Sequence, residues 1–143
     1  KYFFFILVVL IISGGFKFLK TPLYNVSGRA VMIKGVKNSM YKDTSMIIPI
    51  RSSKVLAVKG KILASPRKQS ILINEIKSPK IFSLTNDKGI FKFKLAKGEY
   101  TFFILIEDQA YLNSFDGKGY FSSTRIESNM NDLVLTDKRD VLY

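Results

Sequence analysis

The chain has 143 residues, a net charge of +12, 47% hydrophobic and 13% aromatic residues, and neither cysteine nor histidine. Without histidine, a Ser-His-Asp triad, a Cys-His dyad and a histidine-ligated metal are excluded within the chain. Without cysteine, so are thiolate zinc sites, a cysteine nucleophile, disulfide staples and lipidation at a cysteine. The length fits one domain plus an appendage, held by packing alone, with any chemistry of its own limited to carboxylates.

The charge is uneven along the chain. Residues 1–97 carry nineteen Lys/Arg and three acids, a balance of +16, whereas residues 98–143 carry four and eight, a balance of −4. The first part is suited to a polyanionic neighbour such as anionic lipid or an acidic polymer. The same lysines also read as the solubilising face of strands, because they fall mostly at alternate positions.

At the N-terminus, Lys1 precedes an uninterrupted apolar run from Tyr2 to Ile12, broken by Ser13-Gly14-Gly15 and resumed at Phe16-Lys17-Phe18-Leu19. The run has the length of a signal-peptide core, and Ser13 and Gly15 fit a cut ahead of Phe16. Extended to Leu19 it makes a hydrophobic helix, short of the ~20 residues that span a bilayer. Lys17 and Lys20 can reach headgroups from its end. Residues 1–19 are therefore expected to be a signal peptide or a membrane anchor, and the domain extracytoplasmic, membrane-anchored or secreted. The positive flank that follows (Lys17, Lys20, Arg29, Lys34, Lys37) argues for the opposite orientation.

Residues 20–53 are expected to form a basic linker or an extended arm. Thr21-Pro22 stops any helix, Tyr24–Ile33 reads as a strand or an arm, and Pro49 confines Met46–Ile50 to an edge. From residue 54 the strand signals become regular. Strands are expected over 55–63, 70–76, 80–85, 90–95, 100–107, 119–126 and 132–136, with Gly-, Pro- and Asn-containing turns between them. The stretch from Thr85 to Phe102 reads as a hairpin. Phe91, Phe93 and Leu95 share one face and Lys92 and Lys94 the other; Ala96-Lys97-Gly98 bends, and Tyr100, Phe102, Ile104 and Ile106 repeat the apolar face. Phe103 and Leu105 make the 100–107 strand apolar on its second face as well, as in a central strand covered on both sides.

The spacing T-x-D-x-G-x-F-x-F-x-L-x-x-G-x-Y-x-F from Thr85 to Phe102, together with Val58-Lys59-Gly60-Lys61-Ile62, resembles the carboxypeptidase regulatory-like domain, a prealbumin- or transthyretin-like β-sandwich. The resemblance covers roughly residues 54–106. It implies an all-β fold: a seven-stranded immunoglobulin/prealbumin-like sandwich over 54–143, preceded by the N-terminal hydrophobic helix. It also implies a non-catalytic accessory, adhesion or folding module, with no cofactor and no metal.

Two surfaces are candidates for contact with a partner. Glu107-Asp108 and Asp116 bracket Gln109–Phe115, expected as the longest loop of the sandwich, and Tyr111, Phe115, Asp116 and Tyr120, with Phe121 beside them, form a candidate ligand or partner patch of stacking rings and acids. The plainer alternative is that these rings close one end of the sandwich. Lys59, Lys61, Lys92 and Lys94 form a candidate basic surface. Nucleic acid is not expected as a partner, because the aromatics of these strands point away from the lysines and no recognition motif is present. The functional expectation is a non-enzymatic, exported, membrane-tethered interaction or structural module with a protein or envelope-polymer partner. The alternative is a secreted module that binds carbohydrate or cell envelope. An enzyme class survives only as carboxylate chemistry at Glu107, Asp108 and Asp116.

Overall fold

A computed structural model describes residues 20–37 and 43–139; the expected N-terminal helix lies outside the described residues. Among the described residues, ten strands form two sheets: β1 Leu23–Lys37, β2 Asp43–Pro49, β3 Lys54–Lys59, β4 Ser70–Leu72, β5 Lys80–Leu84, β6 Ile90–Ala96, β7 Gly98–Ile106, β8 Gln109–Tyr111, β9 Thr124–Ile126 and β10 Met130–Asp137. A 3-10 turn, Ile73–Glu75, follows β4. The all-β sandwich agrees with expectation, but the strand count is ten, not seven. Each strand expected from residue 54 onward has a counterpart, though three are cut short: the 55–63 strand ends at Lys59. The 70–76 strand ends in the 3-10 turn, and 119–126 is reduced to β9.

The stretch 20–53, expected as a basic linker or an extended arm, is built into the first sheet. It contains β1 and β2, and β1 is the hub of the first sheet. On one edge β1 runs parallel to β10, from Val26↔Met130 to Met32↔Asp137. On the other edge its first half pairs antiparallel with β6, Leu23↔Ala96 to Arg29↔Ile90, and its second half with β2, Val31↔Pro49 to Lys37↔Asp43. Val26, Gly28 and Ala30 are buried while Asn25 and Arg29 are exposed. This is the period of a strand with one wet face. Spread over small and polar residues, the pattern resembles a linker when read along the sequence.

Two glycines make this hub possible. A Cβ at Gly28 would overlap the Leu133 carbonyl oxygen and lie 2.6 Å from Phe91 Cζ. Gly28 sits at the bulge where the β1–β10 register slips between Val26↔Met130 and Gly28↔Leu133. Gly89, at φ +73°, occupies the junction of β2 and β6 on β1. Its carbonyl accepts the Ala30 N–H at 2.8 Å, and a Cβ there would come within 2.5 Å of the Ala30 oxygen.

The second sheet runs β4-β8-β7-β3-β5, with β9 also on β7. The expected 85–102 hairpin is therefore corrected: β6 belongs to the first sheet and β7 to the second. The single residue between them, Lys97, carries the chain across the sandwich. The apolar faces of β6 and β7 meet across the interior instead of lying side by side, with Phe93 and Phe102 ring centroids 5.8 Å apart. Burying both faces against each other removes more apolar surface from water than pairing the strands edge to edge would.

Candidate functional site

The two sheets treat their outer faces differently. On the first sheet, β6 alternates strictly: Phe91, Phe93 and Leu95 are buried, Lys92 and Lys94 exposed. On the second, Leu56 and Val58 of β3 and Thr101 and Phe103 of β7 point away from the first sheet, yet all are buried. Their cover is built from the segments 60–69 and 112–123. Phe121 N–H donates to the Ile62 carbonyl, Ala64 N–H to Gly119 and Leu112 N–H to Gln69, each at 2.9 Å. Thr101 Oγ1 donates to the Gly60 carbonyl at 2.8 Å. Phe121 meets Phe103 edge-on at 5.1 Å and stacks with Phe115 at 5.3 Å and 26°.

The expected aromatic and acidic patch is divided, only part of it lying in this cover. Tyr111 is buried on β8. Its hydroxyl donates to Gln69 Oε1 at 3.0 Å and accepts the Lys138 N–H at 3.3 Å, and the Arg139 guanidinium lies 5.5 Å from its ring centroid. Tyr120 is half-buried and forms a β-bridge with Leu63. Phe115 keeps 42% of its surface exposed.

Asp116 organises the turn that follows Phe115. Its Oδ1 accepts the backbone N–H of Lys118 at 2.7 Å and of Tyr120 at 3.2 Å, and Oδ2 lies 3.7 Å from Lys61 Nζ. The Lys118 hydrogen bond lowers the Asp116 pKa most. Desolvation works against that shift, while the Tyr120 hydrogen bond and the charges of Lys61 and Lys118 reinforce it.

The expected long loop after residue 107 is shorter than its sequence indicates. Ile106 pairs with Gln109, so Glu107-Asp108 is a two-residue hairpin turn and β8 follows at once. Glu107 lines a cleft with Tyr111 and Arg139, and Asp116 does not. The three carboxylates therefore do not line one cleft. Among the described residues, no group of three acids is placed to hold a metal ion, and no helix is long and apolar enough to cross a membrane.

Phe115 instead borders an open cleft of about 470 Å³ between the 64–69 and 115–119 segments, lined also by Pro66, Arg67, Gln69, Gly117 and Gly119. Arg67 and Gln69 were not singled out by the sequence; Ser65-Pro66-Arg67 registered only as a turn. The turn is closed by Lys68 N–H to the Ser65 carbonyl at 3.1 Å, and Arg67 occupies its third position at φ +63°. Glycine is the usual residue at such a position. A bulky residue after Pro66 is the one sequence signal that could have marked this loop.

The expected basic surface divides too. Lys92 and Lys94 stand opposite Ser27 and Asn25 on the bare face of the first sheet, and these four residues line a groove of about 500 Å³. No carboxylate among the described residues is ion-paired with Lys92 or Lys94. Lys59 ends β3, and Lys61 is 4.0 Å from Glu99 and 3.7 Å from Asp116. The charge of Lys61 is thus shared within the molecule.

No protein-family model matches the chain, and no curated protein matches it in sequence. Among solved structures it is similar to a "putative carbohydrate binding protein" from Pseudomonas aeruginosa, with 14% identity and a TM-score of 0.46 over 82% of this chain and 90% of that one.

Proposed function

We propose that this protein is a non-enzymatic binding module of the carboxypeptidase regulatory-like kind, exported and tethered to a membrane through residues 1–19, and that the bare face of its first sheet engages an anionic envelope polymer. The observation that carries this reading is the groove holding Lys92 and Lys94 beside Asn25 and Ser27. No carboxylate among the described residues is ion-paired with its two ammonium groups, and none of the described residues that line it is a carboxylate. Unneutralised lysines on a rigid strand face attract a polyanion at long range, while Asn and Ser offer short-range hydrogen bonds. The apolar run from Tyr2 to Ile12 supports the tether.

The test is binding of the full chain, in detergent, to poly(glycerol phosphate) over a range of salt concentrations. Lys92→Glu/Lys94→Glu is expected to weaken binding by about tenfold or more and to flatten the salt dependence, since two attractive charges become repulsive. Equal binding by parent and variant would remove this face from the function. The tether predicts that membranes release the protein to detergent and not to high salt. Recovery in a soluble export fraction, cut ahead of Phe16, would favour the secreted alternative.

A further inference from the structure

From the cleft beneath Phe115 on the opposite outer face, we infer a second binding site, one that takes the ring of a carboxylated sugar. This inference is independent of the lysine groove. Phe115 stacks one face on Phe121 at 5.3 Å, so the ring is braced from behind while 42% of its surface remains open. A braced, flat aromatic surface is suited to the C–H face of a sugar ring. The polar side chains that flank it are donors. Gln69 Oε1 accepts the Tyr111 hydroxyl, and its amide NH2 can donate. Arg67 forms no ion pair among the described residues, and its planar guanidinium matches a carboxylate. Among the described residues, no carboxylate lines the cleft.

The shape agrees with a segment of polymer. Gly117 and Gly119 form part of the wall, and a Cβ at either would meet nothing within 4 Å, so the rim is low and open. Arg67 also holds a left-handed backbone conformation that glycine would adopt without strain, at φ +63°. Glycine would relieve that strain, but only a side chain such as arginine's can pair with an anionic ligand.

The experiment titrates the full chain in detergent with short oligomers of galacturonate, glucuronate and mannuronate. The controls are the fully methyl-esterified galacturonate oligomer and a polyglutamate of equal charge. At least one uronate oligomer is expected to bind saturably, with the methyl ester and polyglutamate each weaker by about tenfold or more, the loss of one charge-assisted hydrogen-bond pair. Arg67→Gly is expected to lose binding to the same degree while melting like the parent, and Phe115→Ala to lose it as well. Lys92→Glu/Lys94→Glu should leave uronate binding intact, so failure of the lysine groove and failure of this cleft are read separately. The inference is overturned if no uronate binds, if Arg67→Gly binds as the parent does, or if polyglutamate binds as tightly, which would make the site one for acidic peptides.

Discussion

β6 and β7 are consecutive strands one residue apart, and both present large aromatic side chains to the same interior, yet their outer faces have opposite fates. Lys92 and Lys94 on β6 stand in water, while Thr101 and Phe103 on β7 are completely buried under Phe121 and its neighbours. A strand with one wet face needs only alternation; one covered on both faces needs a continuous apolar run and a second layer to meet it. That second layer is made of loops, and loops covering a sheet leave clefts between them. The bare face is therefore a charged plane and the covered face a shaped pocket, and the two sites proposed above follow that division.

Substitutions at outward positions sharpen the contrast. Phe103→Ala removes a fully buried ring from an outward-facing position and is expected to cost about 3–5 kcal/mol. Lys92→Ala, at an outward position on the neighbouring strand, should change stability by less than about 0.5 kcal/mol. Chemical denaturation of both variants checks this, and similar costs would mean that the second sheet's cover does not pack as described.

Gly28→Ala attacks the hub strand of the bare sheet. The new methyl would overlap the Leu133 carbonyl and crowd Phe91, and about 1–3 kcal/mol of destabilisation is expected from such overpacking. A thermal melt unchanged from the parent would show that the β1–β10 bulge absorbs a side chain.

On the covered face, Arg67→Gly should leave stability within about 1 kcal/mol of the parent. Relief of left-handed strain and the greater freedom of glycine in the unfolded chain act in opposite directions.

The smallest effect expected is a pH dependence. Asp116 has a folded pKa below its ordinary 3.8, chiefly through the Lys118 backbone hydrogen bond. Its contribution is therefore fully present above the unfolded value and is lost as pH falls through the lower folded value. Stability of the parent should decline more steeply in acid than that of Asp116→Asn, measured by denaturation midpoints from about pH 6 to pH 3. Parallel curves would assign the acid sensitivity to other carboxylates.

Local chemistry was legible where it acts over a few residues. The alternation of Phe91, Phe93 and Leu95 with Lys92 and Lys94 sets the faces of β6, and the run Tyr100–Ile104 marks β7 as covered on both sides. Asn86 and Gly89 mark the turn before β6, where Asn86 Oδ1 accepts the Lys88 and Ile90 N–H groups at 2.9 Å. What strands pair with was not legible. β6 finds β1 more than sixty residues upstream, β1 takes β10 from near the other end of the chain, and the Lys97 connection changes sheets where a hairpin was expected. Hydrogen bonds between strands carry no residue code, so pairing is decided by which apolar faces meet once the whole chain collapses. The same holds for the surfaces. The sequence by itself determined that there would be lysines on one strand face and aromatic rings near residue 115. Only the tertiary structure decided that no described carboxylate pairs with Lys92 or Lys94 while Lys61 is shared with Glu99 and Asp116, and that Arg67 and Gln69 line one cleft with Phe115. Electrostatic pairing and cleft formation depend on distances through space between segments far apart in the chain.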